Sequence, residues 1–257
     1  MKPDAEDDGL DDSALAPPSD ASAIPAPPAA ADIFGAALPA AQRFVAHLAD
    51  TGISWGLVGP REVPRLWDRH VLNCAVLTDL IDEGARVVDI GSGAGLPGLT
   101  IALRRSDLDV VLVEPLLRRA RWLELVVADL ELTNVTVRRA RAEELHGKEQ
   151  ADYVTARAVA SLDRLARWGL PLLRPHGELL ALKGQSAAEE VARTVTAVAA
   201  AGGVSTEVVT VGGDLLDSPV TVVRVRRGSR AAVPDKSAPT SARRRGGPRS
   251  RRRPPAG

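Results

Sequence analysis

Hydrophobic residues follow a helical period in the first half of the chain. Between residues 37 and 82, large apolar residues recur every three or four positions, which places them on one side of a helix. They include Phe44, Val45, Leu48, Leu66, Val71, Leu72, Val76, Leu77 and Leu80. Pro60 and Pro64 interrupt this pattern because proline lacks the backbone N–H that a helix interior requires. The stretch therefore predicts two or three separate helices.

From residue 86 onwards, short apolar runs alternate with longer amphipathic segments. The runs predict strands at 86–91, 109–114, 135–138, 152–159, 177–184, 204–211 and 219–226. Helices are predicted at 95–105, 116–131, 162–173 and 187–201. This alternation indicates an α/β fold with a seven-stranded, mostly parallel sheet covered on both faces. The last two strands have no helix between them, so we expect them to form an antiparallel hairpin at one edge.

Charge is segregated along the chain although the formal net charge is zero. Residues 1–31 carry a net charge of −6 and residues 228–257 carry +8, whereas the body, 32–227, carries −2. Both ends contain few large apolar residues and much Pro, Ala or Arg, so they cannot bury enough surface to offset the entropy of ordering. We therefore predict a disordered acidic tail at 1–31, one domain at 32–227 that includes the helices of 37–82, and a disordered Arg-rich tail at 228–257.

Several classes of protein are disfavoured by the composition. A single Cys excludes a disulfide framework and a Cys-based zinc site, and we expect no metal site. No apolar run reaches the roughly 18 residues that cross a bilayer, and the acidic N-terminus lacks the pattern of a secretory signal. We expect a cytoplasmic location and no membrane partner.

The segment VVDIGSGAGLPG, at 87–98, is the strongest chemical signal. It follows a predicted strand and precedes a helix, where glycines let the backbone approach a ligand closely. Gly93, Gly95 and Gly98 fit the dinucleotide fingerprint, and an NAD-dependent oxidoreductase is one interpretation. The spacing of Gly91, Gly93 and Gly95 is instead typical of methyltransferases that use S-adenosylmethionine. Glu114, which ends the second strand, suits both because a carboxylate accepts hydrogen bonds from ribose hydroxyls.

Three features favour the methyltransferase. Asp89 lies two residues before Gly91, where methyltransferases of this class usually carry an acid. The helices before the first strand are unusual for an amino-terminal dinucleotide domain, and the closing hairpin is typical of the methyltransferase fold. Both interpretations remain open on the loop alone.

Six segments together resemble the glucose-inhibited division protein B family. They are RHVLNC (69–74), VVDIGSGAGLPG (87–98), LVEPLLRRARWL (112–123), RRARAEEL (138–145), TARAVASL (155–162) and ALKGQ (181–185). The resemblance covers about residues 40–226. It implies a Rossmann-like class I methyltransferase fold, S-adenosylmethionine as cofactor, and transfer of its methyl group to N7 of a guanine in 16S ribosomal RNA. The implied partner is 16S ribosomal RNA or the small ribosomal subunit.

The resemblance also implies cofactor contacts at Gly91, Leu96, the Ala142–Glu143 pair and Arg157. Added to the residues chosen from the loop, the expected cofactor-binding set is Asp89, Gly91, Gly93, Gly95, Leu96, Glu114, Ala142, Glu143 and Arg157. Arg157 ends the fourth strand, where it would lie beside the reacting centre or form an ion pair that closes the strand. Lys183 ends the fifth strand, where it would contact RNA phosphate, position the base, or be a solvated strand end.

Guanine N7 carries a free lone pair and is an acceptor at neutral pH. It attacks a sulfonium methyl directly, so we expect no general base or nucleophile, and catalysis mainly by positioning. Arg157 and Lys183 are the candidates for positioning residues. Cys74, the only Cys, is interpreted as a core residue. The family often has Asp or Ser where this chain has Asn73–Cys74, and no catalytic role is expected there.

RNA recognition is expected to rely on arginines. Arg118, Arg119 and Arg121 on a predicted helix, with Arg138, Arg139 and Arg141, would form a basic rim for RNA phosphate or simply solvated faces. His70 is either structural or part of this site. Two further alternatives remain: a methyltransferase with a small-molecule substrate, and an RNA-binding protein without catalytic activity.

Overall fold

The computed structural model describes residues 24–229, and its centre is a seven-stranded sheet. The strands are β1 (Arg86–Ile90), β2 (Asp109–Val113), β3 (Val135–Arg138), β4 (Ala151–Arg157), β5 (Leu173–Leu182), β6 (Gly203–Val211) and β7 (Val220–Arg227). Their order across the sheet is β3-β2-β1-β4-β5-β7-β6. β1 to β5 are parallel, and β7 is antiparallel to both β5 and β6. The predicted mostly parallel sheet with a closing antiparallel hairpin is confirmed.

Helices cover both faces of this sheet. They are α1 (Pro28–Phe34), α2 (Leu38–Ala49), α3 (Thr51–Ser54), α4 (Leu72–Ala75), α5 (Gly98–Arg104), α6 (Leu117–Asp129), α7 (Leu162–Gly169) and α8 (Ala187–Ala200). Val87 belongs to a core shared with α1, α2, α4, α5 and α6, whereas the adjacent Val88 belongs to a second core under α7 and α8. Alternate residues of a strand point to opposite faces, so an unbroken apolar run such as Val87–Val88 supplies both cores.

The folded part begins earlier than the composition predicts. Helix α1 occupies residues that we assigned to the acidic tail, and Ala30 within it is fully buried. The Trp67 indole Nε1 also donates a hydrogen bond to the carbonyl of Ile24 at 3.2 Å. A segment with few large side chains can still be ordered when it packs on an existing core, because small residues allow close approach. The boundary at residue 31 is therefore corrected to residue 24. Apart from Gly228 and Ser229, the rest of the two predicted tails lies outside the described residues.

The helical stretch of 37–82 is more fragmented than predicted. After α2 and α3, a 3-10 helix spans Pro60–Arg65, a π-helix spans Leu66–Val71, and a second 3-10 helix, Val76–Leu80, follows α4. Pro60 opens the first of these short helices, as expected of a residue that is tolerated only in a first turn.

Two predicted starts are wrong by several residues. The helix predicted at 162–173 is observed as α7 followed directly by a 3-10 helix, Leu170–Leu172, whereas β5 begins at Leu173 instead of residue 177 because Leu173 pairs with Ala151 of β4. Helix α5 begins at Gly98 and not at residue 95, since the preceding glycines adopt turn conformations.

Within 24–229, no helix combines the length and apolar character needed to cross a membrane.

Candidate active site

The glycine loop joins β1 to α5 at the carboxyl end of the sheet. Gly93 and Gly95 have φ angles of +53° and +79°, which favour glycine. A Cβ on Gly95 would lie 2.3 Å from Leu99 Cδ1, so packing within the loop also requires glycine there. A Cβ on Gly93 would meet no protein atom closer than 3.8 Å. The free space beside Gly93 is thus available to a ligand.

Glu114 lies directly after β2 and holds this loop to its neighbour. Its side chain is almost completely buried. Oε2 accepts a hydrogen bond from the Gly93 N–H at 3.0 Å, and Oε1 accepts one from the Leu116 N–H at 3.0 Å. A carboxylate has about four acceptor positions, so each oxygen retains one for a further donor. Glu114 can accept hydrogen bonds from sugar hydroxyls, as expected from the sequence.

Asp89 supports the loop from the interior and does not line the cavity described below. Its carboxylate accepts hydrogen bonds from Thr155 Oγ1 at 3.0 Å and from the Gly98 N–H at 3.2 Å. The side chain is fully buried, and this burial raises its pKa from 3.8 to about 6. Its contacts make Asp89 a residue that shapes the loop, whereas the sequence suggested direct contact with the cofactor.

A cavity of about 640 Å³ opens beside the loop, at the carboxyl ends of β1, β2 and β4. Of the expected cofactor residues, it is lined by Gly91, Gly93, Leu96, Glu114 and Arg157. Its other walls include Leu57, Val58, Glu62, Leu66, His70, Leu116, Arg119, Arg141, Ala158 and Val159. Its volume and its mixture of apolar walls with a few polar groups are typical of sites for nucleoside-sized ligands. Open parallel sheets bind ligands at this end.

Arg157 connects β4 to the π-helix through several hydrogen bonds. Its Nη1 donates to the carbonyl of His70 at 3.2 Å and to Cys74 Sγ at 3.0 Å. Its Nη2 donates to the carbonyl of Arg69 at 3.3 Å and also contacts Nδ1 of His70. Among the described residues, no carboxylate pairs with Arg157, so the ion pair suggested as a structural alternative is wrong. Burial raises the pKa of the Cys74 thiol, which stays protonated.

His70 is hydrogen-bonded on both ring nitrogens. Because an arginine only donates, Nδ1 must accept from Arg157, and Nε2 must carry the proton that it donates to Glu62 Oε2 at 2.8 Å. Burial, together with the positive charge of Arg157, lowers the pKa of His70 below its usual 6.5 even though the hydrogen bond to Glu62 opposes this shift. The hydrogen bond from His70 lowers the pKa of the Glu62 carboxyl. The chain Glu62–His70–Arg157 therefore contains a carboxylate, a neutral imidazole and a guanidinium.

Lys183 lies away from this cavity. Its Nζ donates to Glu190 Oε1 on α8 and to the carbonyl of Ala160, each at 3.0 Å. The side chain is mostly buried, so it is neither the solvated strand end nor the free phosphate contact that the sequence suggested. Glu190 Oε1 also accepts the Leu162 N–H at 2.7 Å. Lys183 fixes the turn that follows β4.

The Ala142–Glu143 pair and Gly95 also lie outside the cavity lining. Ala142 begins a 3-10 helix, Ala142–Leu145, directly after β3 and is buried, whereas the preceding Arg141 lines the cavity. The sequence did not identify Glu62, Leu57 or Val58 as part of the site. No local signal marks them, because they lie in the irregular segment between α3 and the π-helix. His70 and Arg119, which the sequence left undecided, both line the cavity.

A cavity of similar volume, about 630 Å³, opens at the opposite end of the sheet. Most of its charged side chains are already paired. Arg174 contacts Asp152, Arg224 forms two hydrogen bonds with Glu178, and the Tyr153 hydroxyl donates to Asp82. Few polar groups are left there for a ligand, which makes the cavity at the glycine loop the candidate active site.

Comparisons with known proteins show which family this chain resembles. The family model "rRNA small subunit methyltransferase G" (GidB) matches residues 37–217. A "Ribosomal RNA small subunit methyltransferase G" from Renibacterium salmoninarum is 55% identical over 202 residues, which are 78% of this chain and 94% of the relative. A protein of the same name from Arthrobacter sp. (strain FB24) is 57% identical over 197 residues, 77% of this chain and 91% of the relative. A SAM-dependent O-methyltransferase from Thermotoga maritima superposes with a TM-score of 0.48 at 15% identity over 66% of this chain and 71% of its own.

Proposed function

Because the chain belongs to the rRNA small subunit methyltransferase G family, we propose that it transfers a methyl group from S-adenosylmethionine to N7 of a guanine in 16S ribosomal RNA. The observation that carries this proposal is the coincidence of the family's glycine loop with a nucleoside-sized cavity at the carboxyl end of the sheet. Family membership disfavours the dinucleotide interpretation of Gly93, Gly95 and Gly98, and with it an NAD-dependent oxidoreductase. It also disfavours a small-molecule methyltransferase and an RNA-binding protein without catalytic activity.

The residues present suit S-adenosylmethionine. Glu114 has acceptor positions free for the two ribose hydroxyls, and the space beside Gly93 admits a ligand. Leu96 and Leu116 offer apolar surface for an adenine ring. We assign Gly91, Gly93, Leu96, Glu114 and Arg157 to direct contact with the cofactor. Asp89 and Gly95 shape the loop, and Ala142–Glu143 supports the adenine side through the adjacent Arg141.

The proposed reaction needs positioning more than proton transfer. The cofactor supplies a sulfonium-bound methyl carbon, and guanine N7 supplies the attacking lone pair, so no group of the protein has to remove a proton before the attack. Arg157, held by the carbonyls of Arg69 and His70, is oriented at the edge of the cavity and acts as a positioning residue. Correct alignment of reacting groups contributes on the order of 7–11 kcal/mol. Neither Cys74 nor Lys183 is assigned a catalytic role.

Unpaired arginines lie at the carboxyl ends of the parallel strands: Arg119 lines the cavity, and Arg138 and Arg139 end and follow β3. Within 24–229, the side chains of Arg119, Arg138 and Arg139 have no hydrogen bond or ion pair, and Arg118 lies 5.6 Å from the Trp55 ring centroid. Guanidinium groups left without carboxylate partners are available to RNA phosphates.

We assign the partner as 16S ribosomal RNA, free or within the small subunit, and the location as the cytoplasm, where that RNA would be modified. The domain that does this extends from residue 24 to residue 227.

The cofactor assignment is tested by calorimetric titration with S-adenosylhomocysteine. Gly93→Ala places a methyl group in the space assigned to the ligand, and we expect it to weaken binding about tenfold or more. Gly147→Ala is the matched control: Gly147 has a φ of +75° and equally open surroundings but lies outside the cavity. Equal loss of affinity in both variants would contradict the assignment of this cavity.

The substrate assignment is tested by mapping 7-methylguanosine in 16S ribosomal RNA from a deletion strain. One 7-methylguanosine should disappear and should return with the wild-type chain but not with Gly93→Ala. An unchanged modification pattern would refute the substrate while leaving the cofactor assignment to the titration.

A further inference from the structure

A second cavity, of about 560 Å³, lies on the other side of the π-helix from the active site. Leu66 and His70 of the π-helix face the active-site cavity, whereas Asp68 and Arg69 face the second one. Its other walls are the β6–β7 loop, with Leu216 and Ser218, and residues 27–29 at the start of α1. This single π-helix separates the two cavities, and it is attached to the end of β4 because Arg157 donates to the Arg69 and His70 carbonyls. The β6–β7 loop also follows the carboxyl end of a strand, β6, which runs in the same direction as β5. Both cavities therefore open at the same end of the sheet.

The polar side chains of the second cavity have no partners within the described part of the chain. Asp68, Arg69, Asn73, Asp217 and Ser218 line it, and none of these side chains makes a hydrogen bond or an ion pair with another residue of 24–229. This contrasts with the 630 Å³ cavity at the far end of the sheet, where Arg174 pairs with Asp152 and Arg224 with Glu178. A concave site with both donors and acceptors unpaired is suited to a ligand that presents both.

The charges indicate which part of an RNA this ligand would be. Two carboxylates, Asp68 and Asp217, outnumber the one guanidinium of Arg69, which disfavours a phosphate group. A nucleobase fits better because its edge carries N–H donors and carbonyl or ring-nitrogen acceptors, and its faces are apolar. Leu72 and Leu216 supply apolar surface for such a face. Single-stranded segments of RNA are usually recognised through bases that are turned out of the stack.

We propose that this cavity is a subsite for a nucleobase of the RNA substrate next to the target guanine. The inference rests on the proposed function, because only an RNA substrate whose guanine enters the active-site cavity would bring a neighbouring base to the other side of the π-helix. The subsite contributes to RNA affinity and to the choice of sequence around the target. It is separate from the cofactor contacts.

Two variants test the subsite by different means. Ser218→Trp fills the cavity from the exposed β6–β7 loop, and Asn73→Ala removes an unpaired amide without filling it. Ser205→Trp is the matched control, because Ser205 is also exposed but lies near the Gly203–Arg227 end of the β6–β7 ladder, opposite to the cavity. Thermal unfolding of each variant confirms that it is folded. The substrate is small subunits, and separately their extracted 16S RNA, from a strain that lacks the protein.

We expect Ser218→Trp and Asn73→Ala to raise KM for the RNA about tenfold, in line with the loss of one base contact. The kcat at saturating RNA and the affinity for S-adenosylhomocysteine should be unchanged, and Ser205→Trp should behave as wild type. The slope of log KM against log salt should also be unchanged, since a base contact releases no counterions.

Other results would overturn the inference in distinguishable ways. An unchanged KM in both variants would exclude a subsite. In a further variant, Arg69→Ala, a salt slope reduced by about one would indicate a phosphate contact instead of a base, because only a cationic side chain changes the number of counterions released. A fall in kcat or in cofactor affinity would mean that the cavity supports the reacting groups. If the wild-type chain transfers no methyl group to either RNA, the proposed function itself fails and the subsite fails with it.

Discussion

Asp89 and Glu114 are two buried carboxyl groups that end up with different tasks, although the sequence treats both as ligands of the cofactor. Glu114 accepts from the Gly93 and Leu116 N–H groups and still faces the cavity, whereas Asp89 is directed inward to Thr155 and Gly98. At the scale of the residue, the two carboxylates differ in their position relative to the strand and in the direction of the side chain. Glu114 follows the last residue of β2, while Asp89 still lies within β1.

The raised pKa of Asp89 makes the stability of the fold depend on pH. The folded state keeps a proton on this group up to about pH 6, but the unfolded chain releases it near 3.8. The folded state therefore binds more protons between these values, and the free energy of unfolding should fall as pH rises from 3.8 to 6. The difference between the folded and unfolded pKa values of this carboxyl group corresponds to about 3 kcal/mol.

Asp89→Asn should remove this slope, because an amide keeps an oxygen for the Gly98 N–H and has no charge to bury. Urea unfolding of wild type and variant at several pH values between 3.8 and 6 would measure it. Asp214, which is exposed and makes no hydrogen bond or ion pair within 24–229, offers a control position, since Asp214→Asn removes no buried charge. A slope in Asp89→Asn equal to that of wild type would show that another group is responsible.

At the scale of the element, the π-helix Leu66–Val71 is the main addition to a common βα framework. Its carbonyls and His70 hold Arg157 at the end of β4, and Glu62 of the preceding 3-10 helix holds His70. The hydrophobic pattern predicted helices in this stretch but not their kinds. Spacing in sequence does not distinguish a π-helix from an α-helix when both bury Leu66, Trp67 and Val71.

Protonation of His70 should disrupt this arrangement. A proton on Nδ1 would face the Arg157 guanidinium and the nearby Arg69, with only Glu62 to compensate. Because the pKa of His70 is lowered, we expect methyl transfer to be insensitive to this group above pH 6.5 and to fall at some lower pH. The pH profile of kcat, with cofactor affinity measured in parallel, tests this.

Two substitutions separate titration from packing. His70→Asn retains an acceptor near the position of Nδ1 and does not titrate, so it should keep activity and lose the acidic limb of the profile. His70→Gln retains only a group near Nε2, so it should lose about 1 kcal/mol or more of the Arg157 contact at every pH. If His70→Asn keeps the acidic limb, another group causes it.

At the scale of the whole molecule, the two ends of the sheet differ in how their arginines are paired. At the amino ends of the parallel strands, Arg86, Arg105, Arg174 and Arg224 each lie within hydrogen-bonding distance of a carboxylate. At the carboxyl ends, Arg119 of the active-site cavity and Arg138 and Arg139, which end and follow β3, have no such partner among the described residues. The body as a whole is slightly acidic, and although the Nη1 of Arg227 at the amino ends also lacks a partner within 24–229, Arg119, Arg138 and Arg139 leave three unpaired guanidinium groups at the carboxyl ends. RNA would be attracted to that end by the local field.

Removing one unpaired arginine should therefore change the salt dependence of RNA binding. We expect Arg119→Ala or Arg139→Ala to reduce the slope of log affinity against log salt by about 0.7–0.9 each. Arg193→Ala on α8, an exposed arginine that pairs weakly with Glu189 at 3.8 Å, should leave the slope unchanged. Filter binding of 16S RNA over a range of salt concentrations measures all three. Equal slopes in all three would place the RNA on another surface.

The sequence by itself determined the seven strands, the glycine loop and the position of Glu114 at a strand end. These features are local, since the period of apolar residues, a positive φ and the end of a strand are each set by a few neighbouring residues. Only the tertiary structure decided that Lys183 pairs with Glu190, that Arg157 binds the π-helix, and that Asp89 is directed inward. The Arg157 and Asp89 contacts join residues more than sixty positions apart, and the Lys183 pair depends on how α8 packs back onto β5. The local sequence does not determine which partner a polar side chain contacts, because that partner is brought close only when helices and strands pack together.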